Sequence, residues 1–259
     1  MDWIEALVLG LIQGLTEFLP VSSSGHLEIA KHIFGVDHET SFYFTVVVHG
    51  ATVLSTIVVF WSEIVALLKG FFKFRMNEET DYILKIVVSM VPVAIVGLFF
   101  KDSVEGLFDG NMLFIGLMLL VTATLLGIAH FIRKGTREIN YLDALIIGLA
   151  QAVATIPGIS RSGATIATGL MIGTNKESLA KFSFLMVLVP VIGANLLELV
   201  SGPVISENIS WSVLLVGFVS AFLSGFLACK WMIELVKKSK LIWFSVYCVI
   251  IGLVTILLG

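Results

Sequence analysis

Residues 13–26, QGLTEFLPVSSSGH, hold one carboxylate, three serine hydroxyls and an imidazole in a chain that is otherwise mostly apolar. Gln13 and Glu17 are spaced i, i+4 and so share one helix face. A carboxylate there can ligate a divalent metal or orient a histidine. The simpler reading makes Glu17 a structural counter-ion. His26 directly follows the serine turn, and an imidazole can act as base, acid or nucleophile; a hydrogen-bonded packing role is the alternative. Ser23 is the best candidate for a hydroxyl nucleophile with His26 as its base, although the sequence does not fix which of Ser22, Ser23 and Ser24 points inward. His49, in the middle of an apolar run, is open as a supporting group.

A second polar stretch is PGISRSGAT, residues 157–165. Arg161 is its strongest residue, because a guanidinium among apolar segments is costly and calls for a partner. Its planar fork suits phosphate oxygens; the alternative is that it only pairs with Glu17. Thr165, four residues on, shares its helix face and can add a hydroxyl. Ser22-Ser23-Ser24-Gly25 and Ser160-Arg161-Ser162-Gly163 both read as helix starts. Free N–H groups and the helix dipole make such starts anion sites. Two of them beside an arginine would hold a phosphate or diphosphate.

The elements that must position these residues belong to a membrane. The chain has 259 residues, 58% of them hydrophobic and 14% charged, against about 25% charged in a soluble domain. It cannot cover its own surface with polar groups, so a soluble core is the weaker reading. A net charge of −3 gives no nucleic-acid signal. Cys229 and Cys248 lie in apolar runs and read as packed or lipid-facing thiols. Asp2 and Glu5 stand where the basic region of a signal peptide would be.

A spanning helix needs ~20 apolar residues. Segments 42–62, 83–100, 112–131, 181–200, 209–229 and 241–258 fit, with Pro92 expected to kink the second. Segments 3–35 and 141–173 have apolar arms broken by polar turns, and each arm is about half a membrane long. Both are expected to be re-entrant helical hairpins rather than surface helices, since neither carries a basic face. The expected architecture is therefore all-α: six transmembrane helices plus two re-entrant hairpins.

The hairpins also match each other. Residues 4–26 lie over 142–164 at an offset of 138, with Gly10 on Gly148, Gln13 on Gln151, Ser22 on Ser160, Ser24 on Ser162 and Gly25 on Gly163. One membrane domain thus reads as two repeats, about 1–131 and 141–259. Loops 63–82, 132–140 and 230–240, and the stretch with Lys176 and Lys181, are rich in Lys and Arg and are expected in the cytoplasm. Loops 101–111 and 201–208 are poor in them and are expected outside. Both termini then lie outside, the hairpins enter from opposite faces, and the repeat is of inverted topology with a site near the midplane. His32, His38 and His130 fall near expected helix ends and read as solvated.

Taken together, QGLTEFLPVSSSGH and PGISRSGAT resemble the two signatures of the undecaprenyl-diphosphatase family, also called bacitracin-resistance proteins, over essentially the whole chain. The resemblance implies hydrolysis of undecaprenyl diphosphate to undecaprenyl phosphate and inorganic phosphate. That recycles the lipid carrier for cell-wall synthesis and confers bacitracin resistance. It also implies a bacterial plasma-membrane location with the site open to the outer face, and dependence on Mg2+ or Ca2+. By motif position the active residues would be Gln13, Glu17, Ser22, Ser23, His26, Ser160, Arg161 and Thr165. Gln13 stands where many members have Glu, which weakens a two-carboxylate metal site. A transporter or flippase for a phosphorylated prenyl lipid is the competing function; a structural scaffold would leave Arg161 and Glu17 unexplained. A homodimer stays open.

Overall fold

The computed structural model describes residues 1–36, 38–100, 103–104, 106–107, 110–132, 135–201, 210–237 and 240–259, with backbone only for 38–42, 198–201 and 237. Lys101, Arg133, Lys134 and Lys238, which enter the expected charge asymmetry, lie outside these residues, as does most of loop 201–208. The described chain is helical apart from two isolated bridges, Gly135 with Asn175 and Arg137 with Thr174. In order the helices are α1 (Trp3–Phe18), α2 (Ser23–Phe34), α3 (His38–Val59), α4 (Trp61–Phe71), α5 (Glu78–Phe99), α6 (Met112–Phe131), α7 (Tyr141–Val153), α8 (Arg161–Met171), α9 (Lys176–Ser201), α10 (Trp211–Lys237) and α11 (Leu241–Leu258).

Five of them are long and apolar enough to cross a membrane, and a sixth span is reached if the bent pair α3 and α4 counts as one. Five of the six expected spans are present, and the expected span 42–62 is met by the bent pair, but the ends differ. Hydropathy falls near charged residues, whereas backbone hydrogen bonding continues through them. Thus α5 begins at Glu78 under an Asn77 cap, and α10 runs on to Lys237. Lys230 stays within that helix by lying over the Phe226 ring, 4.2 Å from its centroid. Loop 63–82 is partly helix: the chain turns 73° at Phe60 into α4, whose Gly70 packs on the Glu79 side chain of α5. Helix α5 passes through Pro92 as one element.

Both expected hairpins form helix–turn–helix units within the expected bounds. Their first arms are capped alike: Asp2 with Glu5 at α1 and Asn140 with Asp143 at α7 each close a capping box. Their second arms are capped alike too, by the Ser22 and Ser160 hydroxyls accepting from Gly25 and Gly163 N–H at 3.3 and 3.0 Å. The arms also dock in parallel ways. Helix α1 packs on α10, where a Cβ at Gly10 would sit 2.0 Å from the Ser220 hydroxyl. Helix α7 packs on α5, where a Cβ at the equivalent Gly148 would sit 2.2 Å from the Ser89 carbonyl oxygen. Small residues at such contacts let helix backbones approach where lipid gives no hydrophobic drive. Helices α6 and α11 pack against each other between the two halves.

Phe60, Ile86, Ala129, Ile139, Val236 and Leu241 share one buried cluster that joins α3, α5, α6, α10 and α11. Met1 and Val36 pack against a second buried cluster that includes Val213, and Gly259 lies against Met112. The cysteines are free, buried thiols, with Cys248 Sγ 3.8 Å from the Pro20 carbonyl oxygen. His32 is exposed, but His130 is half-buried against Phe131 rather than solvated, because α6 continues past it. The His38 side chain lies outside the described residues.

Candidate active site

The two hairpin turns meet. A Cβ at Gly25 would touch the Gly158 Cα at 3.2 Å, one at Gly163 would touch the Pro20 side chain at 3.4 Å, and the Ser162 hydroxyl donates to the Leu19 carbonyl at 3.3 Å. Two residues with positive φ shape these turns. Ser22 has φ +70, a left-handed conformation disfavoured for a serine, and Gly158 has φ +91. Gly158 is further required by space, since a Cβ would meet the Ile115 carbonyl oxygen at 2.8 Å. Thr122 of α6 ties the second turn down, donating to the Gly158 carbonyl and accepting from the Ser160 N–H, each at 3.0 Å.

Glu17, at the end of α1, is where the halves join. Its Oε1 accepts from Arg161 Nη2 at 3.0 Å, and its Oε2 accepts from the Ser23 hydroxyl at 2.6 Å and from Gln13 Nε2 at 2.9 Å. Ser23 and Arg161 are each the first residue of their helix and occupy equivalent positions in the two hairpins. Two helix starts therefore converge on one carboxylate, one through a hydroxyl and one through a guanidinium. Only 10% of the Glu17 side chain is exposed, against 28% of that of Arg161, so the guanidinium is the more open partner. His49 Nε2 lies 3.9 Å from Glu17 Oε2. Its Nδ1 donates to the Thr45 carbonyl at 2.9 Å, since a carbonyl can only accept.

The other expected residues are placed as follows. His26 does not bond Ser23; its Nδ1 donates to the Ser22 carbonyl at 2.8 Å, and its Nε2 meets the Tyr247 hydroxyl at 2.8 Å. Ser24 and Ser22 hydroxyls lie 3.3 Å apart, as do those of Ser160 and Ser162. The Thr165 hydroxyl is fully buried and turns back to the Arg161 carbonyl at 3.0 Å, so it braces the helix start rather than facing open space.

Between α1, α3, α8 and α9 a narrow cleft has Glu17, Arg161, Ser162, Thr52, Thr56 and Ser183 on its polar side. Phe18, Val53, Phe184, Val187 and Val191 make its apolar side. Thr52, Thr56 and Ser183 were not singled out in the sequence. Thr45, His49, Thr52 and Thr56 recur at helical spacing as a polar stripe along the apolar α3, and that period was the available signal. Tyr247 carried no signal: it is one aromatic residue in an apolar span.

Over residues 6–254 the sequence matches the family described as Bacitracin resistance protein BacA. The chain belongs to this family. It is 55% identical to the undecaprenyl-diphosphatase of Bacteroides fragilis over 263 residues, covering 100% of this chain and 99% of that protein. The undecaprenyl-diphosphatase of Parabacteroides distasonis is 55% identical over 260 residues, with 99% and 98% covered. That of Methanosphaera stadtmanae is 38% identical over 277 residues, with 100% and 99% covered. Family membership and the run of long apolar helices make the chain a multi-pass membrane protein.

The residues present fit a hard divalent cation to a limited degree. Among the described residues no three of His, Cys, Asp and Glu cluster for a metal. Glu17 is the one carboxylate at the turns, and Gln13 keeps its Oε1 buried without a hydrogen-bond partner. Carboxylate and amide oxygens suit Mg2+ or Ca2+, and Mg2+ is commonly completed by substrate phosphates and water.

Proposed function

We propose that the chain hydrolyses undecaprenyl diphosphate to undecaprenyl phosphate and inorganic phosphate; its full-length relatives are named undecaprenyl-diphosphatases. The observation that carries the reading is the double engagement of Glu17 by Ser23 and Arg161 at two anion-favouring helix starts. Both groups the reaction needs stand there together: a hydroxyl bonded to a carboxylate, and a cation for the phosphate oxygens.

In this reading Arg161 exchanges part of its bond to Glu17 for the diphosphate, and the N–H groups at the starts of α2 and α8 share the charge. Ser23 Oγ attacks the terminal phosphorus and gives its proton to Glu17 Oε2. The bond from that phosphorus to the bridging oxygen breaks, and undecaprenyl phosphate leaves. Water then attacks the phosphoserine phosphorus, the P–Oγ bond breaks, Ser23 Oγ regains a proton from Glu17, and the water's hydroxyl leaves as part of inorganic phosphate. The base is Glu17 rather than His26, because the Ser23 hydroxyl bonds the carboxylate. Attack by His26 or by water directly are the competing nucleophile assignments. Glu17 and Gln13 Oε1 would hold the divalent cation, which neutralises charge on the phosphates.

The inverted repeat belongs to the same proposal. Matching caps at α1 and α7, matching serine caps at α2 and α8 and matching glycine contacts at Gly10 and Gly148 support it. With basic segments on the cytoplasmic side, both termini face outward and the cleft opens to the outer face of the plasma membrane. A homodimer is decided by mass measurement in detergent. The test of function is phosphate release from a polyprenyl diphosphate by the purified protein in detergent. A pure carrier binds the lipid and releases none.

A further inference from the structure

His26 is held by a residue outside both polar stretches. Its Nδ1 faces the Ser22 carbonyl at 2.8 Å, which only accepts, so Nδ1 carries the proton and Nε2 of the neutral ring is an acceptor. The Tyr247 hydroxyl, 2.8 Å from Nε2, is then the donor. The two rings lie 8° from parallel with centroids 5.6 Å apart, so the contact fixes the plane of the imidazole as well as its tautomer. Tyr247 sits on α11, whose other hydroxyls serve only the backbone: Ser245 donates to the Ala123 carbonyl and Thr255 to that of Ile251, each at 2.7 Å. The adjacent Cys248 packs on Pro20, which sets the depth of Tyr247 at the first hairpin turn. At 40% exposure the tyrosine reaches from the outer surface of α11 to the edge of the site.

We propose that Tyr247 is a positioning residue for His26 in the diphosphatase reaction, an assignment that rests on the function proposed above. Its hydroxyl completes the hydrogen bonding of the imidazole and holds the Nδ1–H tautomer and the ring orientation before substrate arrives. Nε2 is thereby turned toward α11 and away from Ser23.

Tyr247→Phe keeps the ring and removes the hydroxyl. In the phosphate-release assay kcat should fall about tenfold with KM nearly unchanged, the size expected for one hydrogen bond. In a His26→Gln background the same change should add no further loss, because the hydroxyl acts through the imidazole. Nitrogen NMR of histidine-labelled protein gives an arm independent of catalysis, with His26→Gln identifying the signal. The wild type should show a protonated Nδ1 and a hydrogen-bonded Nε2, and Tyr247→Phe should move the Nε2 resonance. Equal losses in both backgrounds, or an unmoved Nε2 resonance, overturn the proposal. A wild type that releases no phosphate sinks the diphosphatase reading instead, while the nitrogen spectrum still decides the Tyr247 bond.

Discussion

Glu17 concentrates the chemistry at residue scale. One oxygen holds the Arg161 cation and the other collects the Ser23 and Gln13 donors, so each neighbour is oriented by the same group. In the proposed mechanism, removing Arg161 takes away charge stabilisation for the leaving phosphate. Arg161→Ala, Glu17→Ala and His26→Ala are each expected to lower phosphate release by about 10²-fold or more while the protein still elutes as a folded species. Full activity in Arg161→Ala would reject the assignment. Arg161→Lys separates charge from geometry: it keeps the cation but loses the bidentate fork, and should recover only part of the loss. The hydroxyls divide by direction. Ser23 faces the carboxylate, whereas Thr165 bonds its own helix.

At the scale of elements, glycines set how closely the half-length arms dock. Gly10 on α1 faces Ser220 of α10, and Gly148 on α7 faces the Ser89 backbone of α5, so an added side chain has no room. Overpacking such a contact costs about 1–3 kcal/mol. Gly10→Val and Gly148→Val should therefore each lower the melting temperature of the detergent-solubilised protein. They should also reduce activity, because the arms carry the turns. A melting curve unchanged in both would show that these approaches are not needed. The hairpins were legible in the sequence because capping residues, polar turns and the 138-residue offset all mark their bounds. The span ends were less so. Hydropathy falls at a charge, but a helix continues wherever its backbone bonds and a snorkelling side chain allow, as at Glu78 and Lys230.

At the scale of the molecule, sidedness and metal dependence are the open properties with direct tests. Both native cysteines are buried, so a cysteine-free background is accessible for labelling. A cysteine placed at Asp2 is expected to react with an impermeant thiol reagent from outside, and cysteines at Lys69, Lys73 and Lys240 are not. Reaction on the wrong side at either set rejects the inverted arrangement. Chelation should stop phosphate release while leaving the melting temperature unchanged. In the proposed site, a single carboxylate with one amide oxygen would leave the cation dependent on the substrate rather than on the fold. A large drop in melting temperature on chelation would instead indicate a structural metal site.

The sequence by itself determined the membrane class, the six apolar spans, the two interrupted hairpins and the short polar stretches that carry the family signatures. Those features are local: composition, period and cap chemistry act within a few residues of one another. The tertiary structure decided what depends on segments distant in the chain. It joined Arg161 to Glu17, gave Ser23 to the carboxylate instead of to His26, brought His49 near from α3 and placed Tyr247 of the last helix on the His26 ring. A hydrogen bond needs its two atoms within about 3 Å and well aligned. Sequence spacing constrains such alignment along one helix, but across helices only their packing can supply it.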